Sequence, residues 1–575
     1  MSKLSKLRST ARSRATRARP STKGRVGVAL GLIFGAGALA APMQAYAAKP
    51  LIVTTQEGRV EGFLSNGVAE FLGIPYAAPP VGALRWKPPQ AHASWTNILQ
   101  TKAFGPTCAQ ITTLGVFAGP ANNNEDCLYL NVFTPNVDPA AKESLPVILW
   151  IHGGGNVDGE SNDYDASKLA AQGHTVVVTI NYRLNLMGFL AHPALDAEGH
   201  NFGNYGILDQ HRALKWVKQN IEQFGGDKNN ITVGGQSAGA QDTGMAVISP
   251  LFSGMFQRAI YESSVPSAVP TLAAAEAKGV AFAVAAGCGS GADAATAKCL
   301  RSLSVQQIET LSGTQSANGP YITGPLQDGV IIPIQPSAAW ESGQFNHMPM
   351  MNGRVQDEAN FSLGITEFFK DPRVAFTDAD FTTFVTTTYT GNAGPVNTPP
   401  AYPAGTVDKV LAHYPLNAYA SAQLALDAVQ TDPGACTTRH YSQIIAPQVP
   451  YYAYEFDERT APYYFPKMPG FQALAYHTSD IQFLFTLWHG GPLGIQHELN
   501  KKQENLSDQL VAAWTNFAWT GNPNGQGDSP WPRYKSKPNK PVWFSENIPV
   551  SSTFTDVQFS ANHKCDFWDK VLIYP

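Results

Sequence analysis

The apolar positions of this chain follow two rhythms. Short unbroken apolar runs recur along it: "LPVILWIHGGG" at 145–155, "HTVVVTINYR" at 174–183, "NITVGG" at 230–235, "RAIYES" at 258–263, "MPMMNG" at 348–353 and "PYYAYEF" at 450–456. Their length and their β-branched and aromatic content predict buried strands. Between them the period changes. Leu208, Leu214, Val217, Ile221 and Phe224 recur at helical intervals, and Gly225-Gly226 closes that run. Residues 237–248 can form a second helix, and 506–523 an amphipathic third, stopped by Gly521 and Pro523. Strands alternating with helices predict an α/β class: a large, mostly parallel central sheet with helices on both faces.

The first 25 residues do not belong to that pattern. They hold nine basic residues and no acid, and "VGVALGLIFGAGALAA" at 26–41 follows, ended by Pro42 and the small-residue site around Tyr46. This is the plan of a secretory signal over 1–47, which leaves 48–575 as the chain after export and predicts a secreted or periplasmic protein. The apolar run is shorter than the ~20 residues of a spanning helix, so no stable membrane insertion is expected after its removal. Setting the nine basic residues aside leaves 31 against 44 acidic ones, a balance of −13. That acidic balance argues against nucleic acid as a partner. With 43% hydrophobic and 15% charged residues, disorder is excluded as well.

Six cysteines suit an exported chain with disulfides, although six allow fifteen pairings. Simple neighbour pairing gives Cys108–Cys127, Cys288–Cys299 and Cys436–Cys565. No Cys-x-x-Cys and no His-Glu-x-x-His occurs, so neither a zinc site nor another metal site is expected. "GCGSG" at 287–291 reads as a disulfide-closed turn rather than a phosphate loop.

The stretch "ITVGGQSAGA" at 231–240 carries the first chemical signal. Ser237 sits at a predicted strand-to-helix junction with glycines two residues to either side, the arrangement of a nucleophile elbow. The glycines permit a sharp turn, and the helix start aims N–H groups at the place where negative charge develops.

Nine segments then occur in one order: "FLGIPYAAPPVGALRWKPP" (71–89), "EDCLYLNVFTP" (125–135), "HGGG" (152–155), "NYRLNLMGFL" (181–190), the stretch 203–240, "DGVIIP" (328–333), "QDEANF" (356–361), "AYHTSD" (475–480) and "CDFW" (565–568). Together they resemble the type-B carboxylesterases of the α/β-hydrolase superfamily. The resemblance covers nearly the whole chain after residue 47. It implies Ser237 as nucleophile, Glu358 as the acid of the triad and His477 as general base. Gly154, Gly155 and Ala238 match the family's oxyanion-hole N–H groups. The same resemblance implies the three neighbour disulfides, structural ion pairs Arg85–Glu125 and Arg183–Asp209, a supporting hydroxyl at Ser263, and a loop-ordering rather than catalytic His152. It implies no cofactor, a small-molecule ester as substrate, and a monomer.

Three departures bear on the substrate. Gln236 stands where cholinesterases carry glutamate, the loop 108–127 has Phe117 but no tryptophan, and "VPSAVPTL" after "YESS" lacks the acyl-pocket tryptophan. Asp357 beside Glu358 competes for the acid's role, and Ala359 replaces the glycine that usually follows it. These features disfavour choline esters and predict a serine esterase for hydrophobic or aromatic carboxylic esters, working through an acyl-enzyme. A lipase for long acyl chains and a non-catalytic binding protein on the same scaffold are the alternatives. Such binding relatives lose the serine or the histidine, and this chain keeps both.

Overall fold

Thirteen strands of the computed structural model join in one sheet, among the described residues. Those residues are 50–572, apart from 113, 115–118, 137–143, 200–201, 267, 313–314, 317–318, 321–323, 391–401, 487–493, 526–528, 536–539 and 549. The expected signal segment and Phe117 lie outside them.

The centre of the sheet is parallel. Strands Val176–Ile180, Leu145–Ile151, Gly226–Gln236, Arg258–Glu262, Met350–Val355, Tyr451–Phe456 and Pro541–Glu546 run side by side in that order, each parallel to the next. Antiparallel strands flank both sides: Leu51–Thr54, Arg59–Ser65, Val68–Pro75 and Tyr129–Thr134 on one, and Ser552–Thr555 on the other.

The apolar runs have a direct cause. Strand Leu145–Ile151 is buried at all seven positions because both faces are covered. Val147, Leu149 and Ile151 pack into one core with the helix Tyr205–Asn220, through Leu214 and Val217. Ile148 and Trp150 point the other way, into a second core with Leu510, Val511 and Trp514 of the helix Lys501–Thr520. A period-two strand sandwiched between helices needs apolar side chains at every position.

Three disulfides fasten the periphery: Cys108–Cys127, Cys288–Cys299 and Cys436–Cys565. Arg85 grips Glu125 with two hydrogen bonds of 2.7 and 2.6 Å and donates a third to the Leu303 carbonyl. Buried Arg183 holds Asp209 through two bonds of 2.7 Å. Bidentate geometry makes both pairs specific as well as strong. No helix among the described residues is long and apolar enough to cross a membrane.

Candidate active site

Strand Gly226–Gln236 delivers the chain to Ser237, and the helix Ala238–Ile248 leaves from it. Ser237 takes φ 58° and ψ −122°, a conformation costing on the order of 1–3 kcal/mol for a non-glycine residue. Its N–H donates to the Glu262 carbonyl at 2.8 Å, and its own carbonyl accepts from Gln241 N at 3.0 Å. The neighbouring glycines are required by close approach. A Cβ on Gly239 would stand 2.0 Å from the Ile151 carbonyl oxygen, and one on Gly235 2.5 Å from the same atom. The turn is therefore pressed against the end of the central strand.

That strand runs into the glycine loop. Gly154 and Gly155 have φ values of 105° and 63°. A Cβ on Gly154 would fall 1.9 Å from the Asp158 carbonyl oxygen. The Gly154 carbonyl accepts from Val157 and Asp158 N–H groups at 3.0 and 3.1 Å, which closes the turn. Two tethers hold the loop: Asn156 donates to Asp242 at 3.1 Å, and Gly159 N–H donates to Gln110 at 2.7 Å. Burial pushes Asp242 up to about 7, against the hydrogen bonds from Gln210 and Asn156. His152 is buried beneath the loop. Its ring bonds the Gly153 carbonyl through Nδ1 at 2.7 Å and stacks on Tyr182 with centroids 4.5 Å apart. Burial outweighs the Gly153 bond and pushes His152 down to about 4, so it is neutral at neutral pH.

Glu358 follows strand Met350–Val355, and His477 lies in the turn before the short helix Ile481–Leu484. His477 Nδ1 meets Glu358 Oε2 at 2.5 Å. The other carboxylate oxygen accepts from Val355 N–H at 3.2 Å and faces the Arg354 guanidinium at 3.4 Å. Burial raises the Glu358 pKa, but the imidazole, Arg354, the hydrogen bond from His477 and the nearby Ser263 hydroxyl outweigh it and leave it below the ordinary value. Asp357 turns elsewhere. It pairs with Arg459 at 2.9 and 2.7 Å and accepts from Ala475 N–H at 3.1 Å. Ala359 has φ −73° and ψ −13°, an ordinary right-handed conformation that needs no glycine. On the far side of the imidazole, the Gln236 amide reaches Nε2 at 3.1 Å.

Ser237, His477 and Gly153–Gly155 line one cavity of about 170 Å³. Ala238 opens the helix directly behind the serine. Leu114, Phe361 and Tyr164 give the cavity apolar walls, and Phe361 packs edge-on against the imidazole at 5.2 Å. Glu160, Asp163 and Thr478 line it too. Sequence patterns did not single out these last six residues, apart from quoting Phe361 and Thr478 within longer motifs. Glu160 precedes and Asp163 ends a three-residue 3-10 turn, Ser161–Asp163, where no periodicity marks a side chain as inward. Among the described residues no group of three or more His, Cys, Asp or Glu is arranged to hold a metal ion.

The Carboxylesterase family model matches residues 49–568. The chain belongs to the carboxylesterase family. It is 31% identical over 560 residues to Carboxylesterase 1E of Rattus norvegicus, covering 91% of this chain and 94% of that one. It is 34% identical over 534 residues to a protein of Anas platyrhynchos named "Fatty acyl-CoA hydrolase precursor, medium chain", with 88% and 90% covered. Para-nitrobenzyl esterase of Bacillus subtilis (strain 168) is 32% identical over 513 residues, with 87% and 96% covered. The sheet described above is the α/β-hydrolase fold of this family, and the protein is a carboxylic ester hydrolase.

Proposed function

We propose that this esterase works through an acyl-enzyme formed on Ser237, and that it is an exported, monomeric enzyme for hydrophobic or aromatic carboxylic esters. The supporting observation is the 2.5 Å contact of His477 with Glu358 beside the cavity that Ser237 lines. With Glu358 accepting from Nδ1–H, the imidazole carries its lone pair on Nε2. Ser237 Oγ attacks the ester carbonyl carbon and gives its proton to Nε2. The carbonyl oxygen becomes an oxyanion, held by the N–H groups of Gly154, Gly155 and Ala238. Each such donor is worth about 3 kcal/mol of barrier. The tetrahedral adduct collapses, and the imidazolium returns its proton to the leaving alcohol. Water then repeats the sequence on the acyl-enzyme, with Nε2 again as base.

The walls formed by Leu114, Tyr164 and Phe361 favour apolar acyl or aromatic groups. The names of two relatives point the same way, one to a nitrobenzyl ester and one to medium-chain acyl groups. The three disulfides support export, in line with a signal over residues 1–47. An organophosphate should label Ser237 with one equivalent and abolish turnover; labelling elsewhere, or turnover without Ser237, overturns the reading. A chain-length series of p-nitrophenyl esters below and above micelle formation tests the preference. A rate that jumps at the interface would favour a lipase instead.

A further inference from the structure

The lining of the cavity includes two carboxyl groups beside its apolar side chains. Glu160, 7% exposed, and Asp163, partly exposed, both line the cavity that holds Ser237 and His477. The Glu160 carboxyl is fixed against the chain of the loop closed by Cys108–Cys127: a Cβ on Gly119 would stand 2.8 Å from its Cδ. The backbone before it is held by the two-way bond between Gly159 and the Gln110 amide. Burial pushes Asp163 up to about 7, opposed by its hydrogen bond with Glu160. The two carboxyl groups place acceptor oxygens in the same cavity as Leu114, Tyr164 and Phe361.

A second feature points to a ligand. Thr478 lines the same cavity, its residue 7% exposed, and its buried hydroxyl meets no hydrogen-bond partner among the described residues. A buried hydroxyl without a partner is destabilising, and a polar ligand group would relieve that cost. Thr478 also holds φ 79°, which is strained for a β-branched residue.

We propose that Glu160 and Asp163, with Thr478, form a polar subsite that selects esters bearing a hydroxyl group on the acyl or alcohol portion. This rests on the reading of Ser237 and His477 as the reacting centre of the same cavity. The substrate hydroxyl donates to the carboxyl pair, while its carbon skeleton lies against Phe361 and Tyr164. A site built around a hydrogen bond discriminates strongly against the analogue lacking it, because its own polar groups are then left unmatched.

The test uses two pairs of esters that differ only in a terminal hydroxyl against a methyl, one pair modified on the acyl chain and one on the alcohol. In the wild-type enzyme at least one hydroxyl ester should exceed its methyl partner in kcat/KM by about tenfold or more. That ratio should fall to within about twofold in Glu160→Met/Asp163→Leu, changes of similar size that remove the acceptor oxygens. Equal kcat/KM within both wild-type pairs overturns the proposal, and so does a ratio unchanged in the double variant. Should the double variant not fold, Asp163→Leu alone should lower the ratio in the same direction, and an unchanged ratio overturns the proposal as well. Organophosphate labelling separates the two failures. If Ser237 is labelled and the methyl esters turn over, only the subsite is wrong; if neither happens, the reacting centre is wrong.

Discussion

The side-chain amide of Gln236 lies 3.1 Å from His477 Nε2, the nitrogen that faces away from Glu358. The amide donates into the lone pair that Ser237 would use in the proposed mechanism, so two adjacent residues would compete for one acceptor. A hydrogen bond of this kind is worth about 1 kcal/mol net. Gln236→Glu replaces the competing donor with an acceptor and adds an anion at the base of the cavity. It should raise kcat/KM for a cationic ester several-fold more than for a neutral ester of the same shape. Steady-state kinetics on the matched pair decides it, and equal changes for both esters contradict the charge argument.

The acids at 357 and 358 should separate cleanly. Glu358 bonds the imidazole, whereas Asp357 is committed to Arg459 and to Ala475 N–H. Glu358→Gln should lower kcat by about 10³–10⁴, the scale of losing the group that sets the tautomer of a catalytic histidine. Asp357→Asn should lower it by less than about tenfold. Its partner Arg459 is half-exposed, and exposed pairs contribute about 0–1 kcal/mol. Similar losses in both variants would mean that the acid has been misassigned.

The difference between these two neighbours marks where sequence reading stops. Both are acids in one motif, and only the bond to His477 separates them. Six of the seven strands of the parallel centre are legible because double burial removes polar positions, as at Leu145–Ile151. Ser237 was legible because its turn forces glycine at 235 and 239. The helix Ala422–Ile445 was not, since Pro433 inside it reads as a breaker. Yet that helix supports the site: Asp427 and Thr431 accept from the N–H groups of Asn360 and Ala359, just after Glu358. The seventh strand, Pro541–Glu546, begins with proline, which cannot donate to a ladder and hides the strand. His477 carried no local signal beyond its motif, because its role depends on a carboxylate 119 residues away.

A second buried histidine predicts how stability depends on pH. His563 lies between Asp432 at 2.9 Å on Nδ1 and Glu455 at 2.6 Å on Nε2. Burial alone lowers its pKa, but the charge of Glu455 and the hydrogen bonds to both acids outweigh burial and raise it to about 9. The folded value is thus above the unfolded one near 6.5. Folding is favoured in full below the unfolded value, and that contribution fades as pH rises through about 9. The melting temperature of the wild type should fall more steeply between pH 7 and 10 than that of His563→Gln. Parallel profiles in a thermal-shift series would rule out the charged bridge.

The disulfides should differ in what they contribute. Cys436–Cys565 spans a sequence separation of 129, and Cys288–Cys299 one of 11. Loop-closure entropy assigns about 5 kcal/mol to the first and about 3 kcal/mol to the second. The long bridge also joins helix Ala422–Ile445, which supports the loop after Glu358, to the C-terminal segment. Cys436→Ser/Cys565→Ser should therefore lower both stability and the fraction of enzyme that reacts with organophosphate near its midpoint of unfolding. Cys288→Ser/Cys299→Ser should cost less stability and leave that fraction near the wild-type value at the same temperature. Denaturant unfolding with active-site titration measures both. A larger loss from the shorter bridge would show that strain or residual structure, rather than loop length, governs these links.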